Sequence, residues 1–294
     1  MKTLDELVNK TLGNYKVEEK IGEGAFLTVF KGRHEQIDRP VAIKVLNDNL
    51  QGNRLKREID FLSQVGNHPN IVGVLDADVY SDNPYVVVEY CDSSLAKELE
   101  KSSTLSWGRA VNISSNLLDA LSFIHSKRRV HGDIKPSNIL FNNGTVKLSD
   151  FNSRTQNDLE TYAKSVAQSI SHASDGKTPR FTEGSVLYFT KEHRSGKDLT
   201  PQSDVHQVGQ ILYEMVTGTR FIDKEGSVAE ISKAPKWLDK IIEKATNNSP
   251  EKRYKDANEM KIELKKGLEG KLDEPIFDPH GFWEIDFSKA LKTL

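Results

Sequence analysis

Short runs of apolar residues predict that β-strands make up most of the first third of the chain. Such runs cover residues 15–46, 71–75 and 85–90. Residues 54–65 differ, because their apolar side chains recur at the spacing of one helix face. We therefore expect a small, mainly β region that carries one helix.

Helical periodicity dominates after a polar connector at residues 91–94. A β-hairpin interrupts it, since Asn142-Asn143-Gly144 is typical of a tight turn between two short apolar runs. The pattern thus predicts a mainly β lobe followed by a mainly α lobe, with the boundary near residues 89–94. The longest predicted helices cover residues 106–127, 204–215, 237–245 and 256–268.

The densest group of polar residues with chemical potential lies at residues 131–140. It contains Asp133, Lys135 and Asn138, and Asp150 follows the predicted hairpin. That hairpin would place one carboxylate on a rigid loop and the other at the end of a strand, facing the same space. Two carboxylates, an amide and a lysine suit a metal-bound phosphate beside a hydroxyl nucleophile.

Two features of the small lobe also point to phosphate chemistry. Gly22 and Gly24 lie between predicted strands and allow a turn whose backbone N–H groups approach phosphate oxygens, although such a tip is more often a simple turn. Lys44 lies inside an apolar strand, and Glu58 lies beside the apolar face of the predicted helix, so the two can pair. Taken singly, a snorkelling lysine and a surface glutamate are the ordinary interpretation.

In order and rough spacing these motifs resemble those of the eukaryotic-type (Hanks-type) serine/threonine protein kinases. The resemblance covers about residues 14–268. It implies an α+β, two-lobed protein kinase fold, with a small, mainly antiparallel β N-lobe that has one key helix and a larger, mainly α C-lobe. The matching motifs are Gly22-x-Gly24-x-x-x-x-Val29, Val41-Ala42-Ile43-Lys44, Glu58, His131-x-Asp133-x-Lys135-x-x-Asn138 and Asp150-Phe151. The implied ranges are 1–13 for an N-terminal arm, about 14–90 and 94–268 for the lobes, and 269–294 for a C-terminal tail.

The resemblance also implies a function, the transfer of the γ-phosphate of ATP to serine or threonine hydroxyls of protein substrates. Asp133 would orient the substrate hydroxyl, and Lys135 would neutralise charge on the moving phosphoryl group. Lys44, oriented by Glu58, would hold the α- and β-phosphates.

The metal and nucleotide ligands follow from the same resemblance. Asn138 and Asp150 would ligate Mg²⁺, with Mn²⁺ as an alternative. Glu89 and Cys91 would supply backbone hydrogen bonds to adenine, and Val88 would be the gatekeeper behind it. The implied nucleotide-binding residues are Ile21, Gly22, Glu23, Gly24, Val29, Ala42, Lys44, Val88, Glu89, Cys91 and Leu140.

Further C-lobe residues match structural features of the family. Asp204 resembles the carboxylate that caps the catalytic loop from below, and Glu192 and Arg253 resemble a structural ion pair. Lys135 and Ser185 match the serine/threonine branch. The residues that match the regulatory spine of the family are Leu62, Val74, His131 and Phe151.

Gly132 departs from the family pattern, which commonly has an arginine there to receive an activation-loop phosphate. We therefore expect activity that does not need a phosphate read through that contact. Asn152 replaces a glycine of the metal-binding motif, and Lys191 replaces a proline before Glu192. The intervening segment is long and polar, which suggests an extended activation segment. Its candidate autophosphorylation sites are Ser171, Ser174, Thr178 and Thr182.

Composition limits the expected binding partners and the expected cellular compartment. The 294 residues carry a formal net charge of −2, which gives no argument for nucleic acid as a partner. Cys91 is the single cysteine, so no internal disulfide can form and a cytoplasmic setting is expected. The opening residues carry acids where a signal peptide needs an apolar core, and no apolar run approaches the roughly 20 residues of a membrane span. The sequence gives no indication of oligomeric state.

Two alternative functions stay open on the sequence alone. Gly132, Asn152 and Lys191 are compatible with a pseudokinase or scaffold that binds nucleotide or a partner without transfer. A small-molecule phosphotransferase would share the acid–amide spacing of the catalytic loop, but Lys135 and the helix beginning near Asp204 argue against it.

Overall fold

The structure, a computed structural model, describes residues 4–23, 27–47, 59, 67–80, 83–151, 186–223 and 226–270. Asn152, Ser185, Leu62 and the candidate autophosphorylation sites lie outside these residues, as does the tail from residue 271 onward. Within the described residues, no helix combines the length and apolarity needed to cross a bilayer.

An antiparallel sheet of six strands forms the small lobe, in the order β1-β2-β3-β4-β6-β5. A 3-10 helix at Leu4–Leu7 precedes it. Burial alternates along β3, as expected for a strand with one face toward the core. Thr28, Phe30 and Gly32 are buried and their neighbours are not. The strands are β1 Thr11–Leu12, β2 Tyr15–Glu23, β3 Leu27–His34, β4 Arg39–Leu46, β5 Val74–Tyr80 and β6 Asn83–Glu89.

Helices and a small three-stranded sheet form the large lobe. The helices are α1 Leu95–Ser102, α2 Trp107–Ser126, α3 Lys191–Arg194, α4 Pro201–Thr217, α5 Val228–Ser232, α6 Lys236–Ala245 and α7 Ala257–Glu269. The strands are β7 Ser93–Ser94, β8 Ile139–Asn142 and β9 Thr145–Leu148, in the order β7-β8-β9. Short 3-10 helices lie at Pro136–Asn138, Val186–Tyr188, Phe221–Asp223 and Pro250–Lys252.

An N-terminal cap and an apolar stripe account for the long helix α2, whose range the sequence predicts. Ser106 caps its N-terminus by accepting a hydrogen bond from the Arg109 backbone N–H. Its apolar stripe packs against α4 and α7. The stripe consists of Ala110, Ile113, Leu117, Leu121 and Ile124, each at most 3% exposed.

Helix α4 runs through the centre of the large lobe and is almost wholly buried. A Cβ atom built on Gly209 would lie 2.8 Å from Thr246 Cγ2 and 2.9 Å from Ala245 Cβ. Glycine at this position therefore allows α4 and the end of α6 to approach closely.

The predicted hairpin turn joins β8 to β9. Asn143 and Gly144 occupy its two central positions with φ angles of 48° and 81°. Positive φ at both positions identifies the tight turn that asparagine followed by glycine favours. The strand ends of this hairpin therefore lie where the sequence places them, immediately before Asp150.

The predicted strand at residues 71–75 is wrong at its start, because β5 begins only at Val74. The preceding residues pair with the other lobe. Leu148 N–H donates to the Asn70 carbonyl at 2.8 Å, and Val72 N–H donates to the Leu148 carbonyl at 2.9 Å. The apolar run is continuous in sequence, but its first residues tie the small lobe to β9.

A buried ion pair links α3 to the loop that follows α6. Arg253 Nη1 and Nη2 lie 2.6 and 3.1 Å from the two carboxylate oxygens of Glu192. The arginine side chain is 0% exposed and the glutamate side chain 8%. Burial works against ionisation of Glu192, but the hydrogen bonds from Arg253 outweigh it and lower the pKa of the carboxyl from 4.5 to about 2.

Replacing Arg253 with methionine should lower the free energy of unfolding by roughly 3–5 kcal/mol, because Glu192 would remain buried without its cation. Chemical denaturation measures the loss. Lys252→Met, which changes an exposed neighbour, is the matched control and should have little effect. Equal effects of the two substitutions would contradict this role of the pair.

The same pair predicts a pH dependence of stability. Its contribution is complete above the unfolded pKa near 4.5 and is lost as the pH falls toward the folded pKa of about 2. Wild type should therefore lose more stability than Arg253→Met between pH 5 and pH 3, by about 2 kcal/mol or more, since in the variant burial alone raises the pKa of Glu192. Parallel curves for the two proteins would contradict the assignment.

Candidate active site

Helix α4 holds the loop that carries the predicted catalytic acid. Asp204, which is 0% exposed, accepts hydrogen bonds from the His131 backbone N–H at 2.9 Å and from the Gly132 backbone N–H at 2.8 Å. One helical turn later, Gln207 Oε1 accepts from the Ile134 backbone N–H at 3.1 Å. The loop backbone is thus fixed on both sides of Asp133 by buried side chains of one helix.

Asp133, Lys135 and Asn138 come together as the sequence predicts. Lys135 Nζ lies 3.2 Å from Asp133 Oδ2. Asn138 Nδ2 donates to the Asp133 backbone carbonyl at 2.8 Å and lies 3.4 Å from Oδ2 of the same residue. Because its amide nitrogen faces Asp133, the side-chain oxygen of Asn138 is available as an acceptor.

Lys44 of the small lobe reaches Asp150 of the large lobe. Its Nζ lies 2.6 Å from Asp150 Oδ1, and the lysine side chain is 9% exposed. Burial raises the pKa of Asp150, but the Lys44 ammonium, with Lys135 also nearby, outweighs burial and holds that pKa below its ordinary value. Asp150 is therefore an anion that faces two cations.

Three residues of the predicted regulatory spine, Val74, His131 and Phe151, are described, and they pack next to Asp150. The rings of His131 and Phe151 meet edge to face, with centroids 4.8 Å apart. His131 Nε2 lies 3.0 Å from the Ser149 carbonyl, next to Asp150. Val74 is partly buried and packs against the core that contains Phe151. Leu62, the fourth predicted member, lies outside the described residues.

Five of the predicted adenine-site residues belong to a single apolar cluster at the inner strands of the sheet. Ala42 and Val88 are cross-strand partners and are 8% and 3% exposed. Val29, Cys91 and Leu140 pack against them. Burial raises the pKa of the Cys91 thiol to about 12. This group thus brings β3, β4, β6 and β8 to one apolar surface.

The predicted glycine-rich loop is described in part. Ile21, Gly22 and Glu23 end β2, and Gly22 pairs with Val29 on β3. Ile21 is 41% exposed. Gly24 and Glu58 lie outside the described residues.

Glu89 makes side-chain contacts that the sequence does not reveal. Its Oε1 accepts from the Gly73 backbone N–H and from Lys147 Nζ, both at 2.8 Å. Its Oε2 accepts from Asn142 Nδ2 at 3.1 Å. The carboxylate thus connects the end of β6, the start of β5 and the β8–β9 hairpin. Only a backbone role was predicted for this residue.

The position of Gly132 is also more constrained than the sequence suggests. Its φ is +74°, and a Cβ atom there would lie 2.7 Å from Leu199 Cδ1. Its carbonyl lies 2.8 Å from Nε2 of His193, which is buried at 1% exposure. His193 belongs to none of the motifs found in the sequence, so its contact with the Gly132 carbonyl could not be predicted.

The oxygen donors at the site fit a hard cation. The described residues contain no cluster of three or more His, Cys, Asp or Glu side chains suited to a metal. Magnesium is, however, commonly held by one or two carboxylates together with phosphates. The Asp150 carboxylate and the Asn138 amide oxygen are donors of this kind.

Curated relatives of this chain include bacterial kinases. The serine/threonine-protein kinase PrkC of Bacillus subtilis is 32% identical over 92% of this chain and 43% of its own length. The probable serine/threonine-protein kinase PknB of Lactococcus lactis is 30% identical over 85% of this chain and 41% of its own length. The chain therefore spans less than half the length of these relatives.

Solved structures show the same architecture. The kinase domain of PknI from Mycobacterium tuberculosis matches with a TM-score of 0.66, over 88% of this chain and 98% of that domain. The identity is 19%, so the likeness concerns the fold. It confirms the predicted two-lobed α+β protein kinase fold.

The sequence also matches a family defined by the protein kinase domain. The match runs from residue 15 to residue 273 and so includes both lobes and every described residue of the candidate site. On this match, the chain belongs to the protein kinase domain family.

Proposed function

We propose that this chain transfers the γ-phosphate of ATP to serine or threonine hydroxyls of protein substrates. The observation that carries the proposal is the contact of Lys44 with Asp150 beside the group formed by Asp133, Lys135 and Asn138. Asp133 and Lys135 lie close enough to Asp150 to affect its pKa. Two carboxylates, two ammonium groups and one amide therefore share one small space.

The charges of Asp133 and Lys135 suggest a different role for each residue in the transfer. Asp133 is the group that accepts or orients the proton of the substrate hydroxyl, since its carboxylate is held by Lys135 Nζ and lies close to Asn138 Nδ2. Lys135, tethered to it, neutralises charge that develops on the transferred phosphoryl group. Phosphoryl transfer needs positioning and charge neutralisation more than covalent chemistry, and this group supplies both.

ATP and Mg²⁺, or Mn²⁺ in its place, are part of the proposal. Asn138 and Asp150 would hold the metal, which when bound neutralises phosphate charge. Lys44 would turn from Asp150 toward the α- and β-phosphates, with Glu58 as its proposed second partner. The apolar group around Ala42 and Leu140 would hold the adenine ring, and the backbones of Glu89 and Cys91 would bind its edge.

The surroundings of Lys135 leave room for a protein substrate. A cleft of about 430 Å³ opens beside Lys135 and extends toward Leu99 and Glu214. Serine and threonine are the proposed acceptors because Lys135 follows the acid by two positions, as in that branch of the family. The names of the bacterial relatives support the same class.

Asp133→Asn and Lys44→Met should each lower the rate of phosphate transfer at least about 100-fold, since each removes a charge from the reacting region. Transfer of labelled phosphate from ATP to a generic basic protein measures the effect. Asp198→Asn and Lys265→Met make the same chemical changes at exposed positions and are the matched controls. Wild type that transfers no more than the two site variants would refute the proposal.

Treatment of the purified protein with a phosphatase should leave most of its activity intact, within about twofold. Gly132 provides no cation for an activation-loop phosphate, so removing such a phosphate should cost little. Initial rates before and after treatment, with the phosphatase removed, give the comparison. A loss of most activity would show that a different cation reads an activation-loop phosphate.

A further inference from the structure

His193 reaches the peptide bond that immediately precedes the proposed catalytic acid. Its Nε2 lies 2.8 Å from the Gly132 carbonyl oxygen. A carbonyl oxygen only accepts hydrogen bonds, so Nε2 carries the hydrogen and donates it. The contact is buried, because His193 is 1% exposed.

Neighbouring residues fix the orientation of this imidazole. Nδ1 accepts a hydrogen bond from the Thr190 backbone N–H at 3.2 Å and lies 2.8 Å from Thr190 Oγ1. The Phe189 ring stacks on the imidazole at 4.8 Å between centroids, with 16° between the planes. The donor at Nε2 is thus aimed by contacts on its other edge and on its face.

The Gly132–Asp133 peptide unit is held at both of its polar groups. A peptide unit is planar, so its C=O and N–H cannot turn independently. His193 holds the C=O, and His131 Nδ1 accepts from the Asp133 N–H at 3.2 Å. Asp204 fixes the preceding N–H of Gly132 at 2.8 Å. The orientation of the Asp133 side chain depends on this plane, because the next bond along the chain leads to its Cα.

Helix α3 carries His193 and is itself anchored. Glu192, the adjacent residue, is held in the buried pair with Arg253 at 2.6 Å. Gly132 contributes no side chain to the connection, and Leu199 occupies the space where its Cβ would lie. The described contacts between α3 and residue 132 therefore pass through the backbone of that residue.

We propose that His193 is a positioning residue, which fixes the Gly132–Asp133 peptide plane and so aims the Asp133 carboxylate at the substrate hydroxyl. The inference rests on the proposed kinase function. On this proposal, the imidazole of His193 connects α3 to the catalytic loop. The imidazole is uncharged, and the chain has Gly132 where the family pattern has an arginine.

Steady-state kinetics of two matched variants test this role. His193→Phe keeps the ring that stacks on Phe189 but removes the donor to Gly132, and it should lower kcat about tenfold while the KM for ATP stays within about twofold. His206→Phe makes the same change at another buried histidine, whose ring meets Phe221 instead, and should leave both constants near wild type. His193→Gln retains an N–H donor and should recover most of the lost kcat.

Three results would overturn the inference. One is unchanged kcat in His193→Phe. Another is an equal fall of kcat in His193→Phe and His206→Phe, which would show a merely structural effect. The third is a rise in the KM for ATP without a fall in kcat. If His193→Phe does not fold, Thr190→Val replaces it, because it keeps the imidazole and removes the hydroxyl that orients it. This variant should lower kcat about threefold, and no change would count against the role.

A second measurement separates this inference from the proposed function. Amide hydrogen exchange at residues 131–133 needs no catalysis and should be faster in His193→Phe than in wild type and in His206→Phe. Suppose that wild type transfers no phosphate but that exchange is faster in His193→Phe. This result would refute the kinase proposal but not the contact by which His193 fixes the Gly132–Asp133 peptide plane. Active wild type with identical exchange in all three proteins would refute only the role proposed for His193.

Discussion

The buried carboxylate of Asp204 is the interaction on which the rest of the site depends. It is fully excluded from solvent, and it accepts hydrogen bonds from two successive backbone amides, those of His131 and Gly132. His125 Nε2 also lies 2.9 Å from it. A buried carboxylate that lost these partners would be costly, so the loop and helix α4 stay together. Asp133 and Lys135 therefore project from a base that the core of the large lobe holds in place.

The two lobes meet through contacts of different kinds. Lys44 and Asp150 form a direct ion pair across the cleft, whereas Glu89 joins the lobes through hydrogen bonds to Gly73, Lys147 and Asn142. The ion pair consists of groups that the proposed chemistry uses. The contacts of Glu89 lie outside that chemistry and fix the hairpin that precedes Asp150. The lobes are thus joined both by groups that the proposed chemistry uses and by groups that it does not use.

Sequence patterns predict the helices and turns that are determined by residues close together in the chain. The apolar period predicts α2, and asparagine followed by glycine predicts the β8–β9 turn. The motifs also predict which polar residues come together at Asp133. The predicted start of β5 is wrong, because an apolar run does not show which strand its backbone will pair with.

Contacts between distant residues lie beyond such patterns. Glu89 meets Lys147 across 58 positions, and His193 meets Gly132 across 61. No periodicity relates the members of either pair, and both involve residue types that are ordinary at their positions. Only the packing of α3 against the catalytic loop reveals that Gly132 is held through its backbone.

Mass spectrometry of the protein and a substrate protein after incubation with ATP and Mg²⁺ tests the central claim most directly. Wild type should place phosphate on serine and threonine residues, and Asp133→Asn should place almost none. The account is contradicted if wild type leaves both proteins unmodified, if the phosphate lies on tyrosine, or if Asp133→Asn modifies them as fast as wild type does.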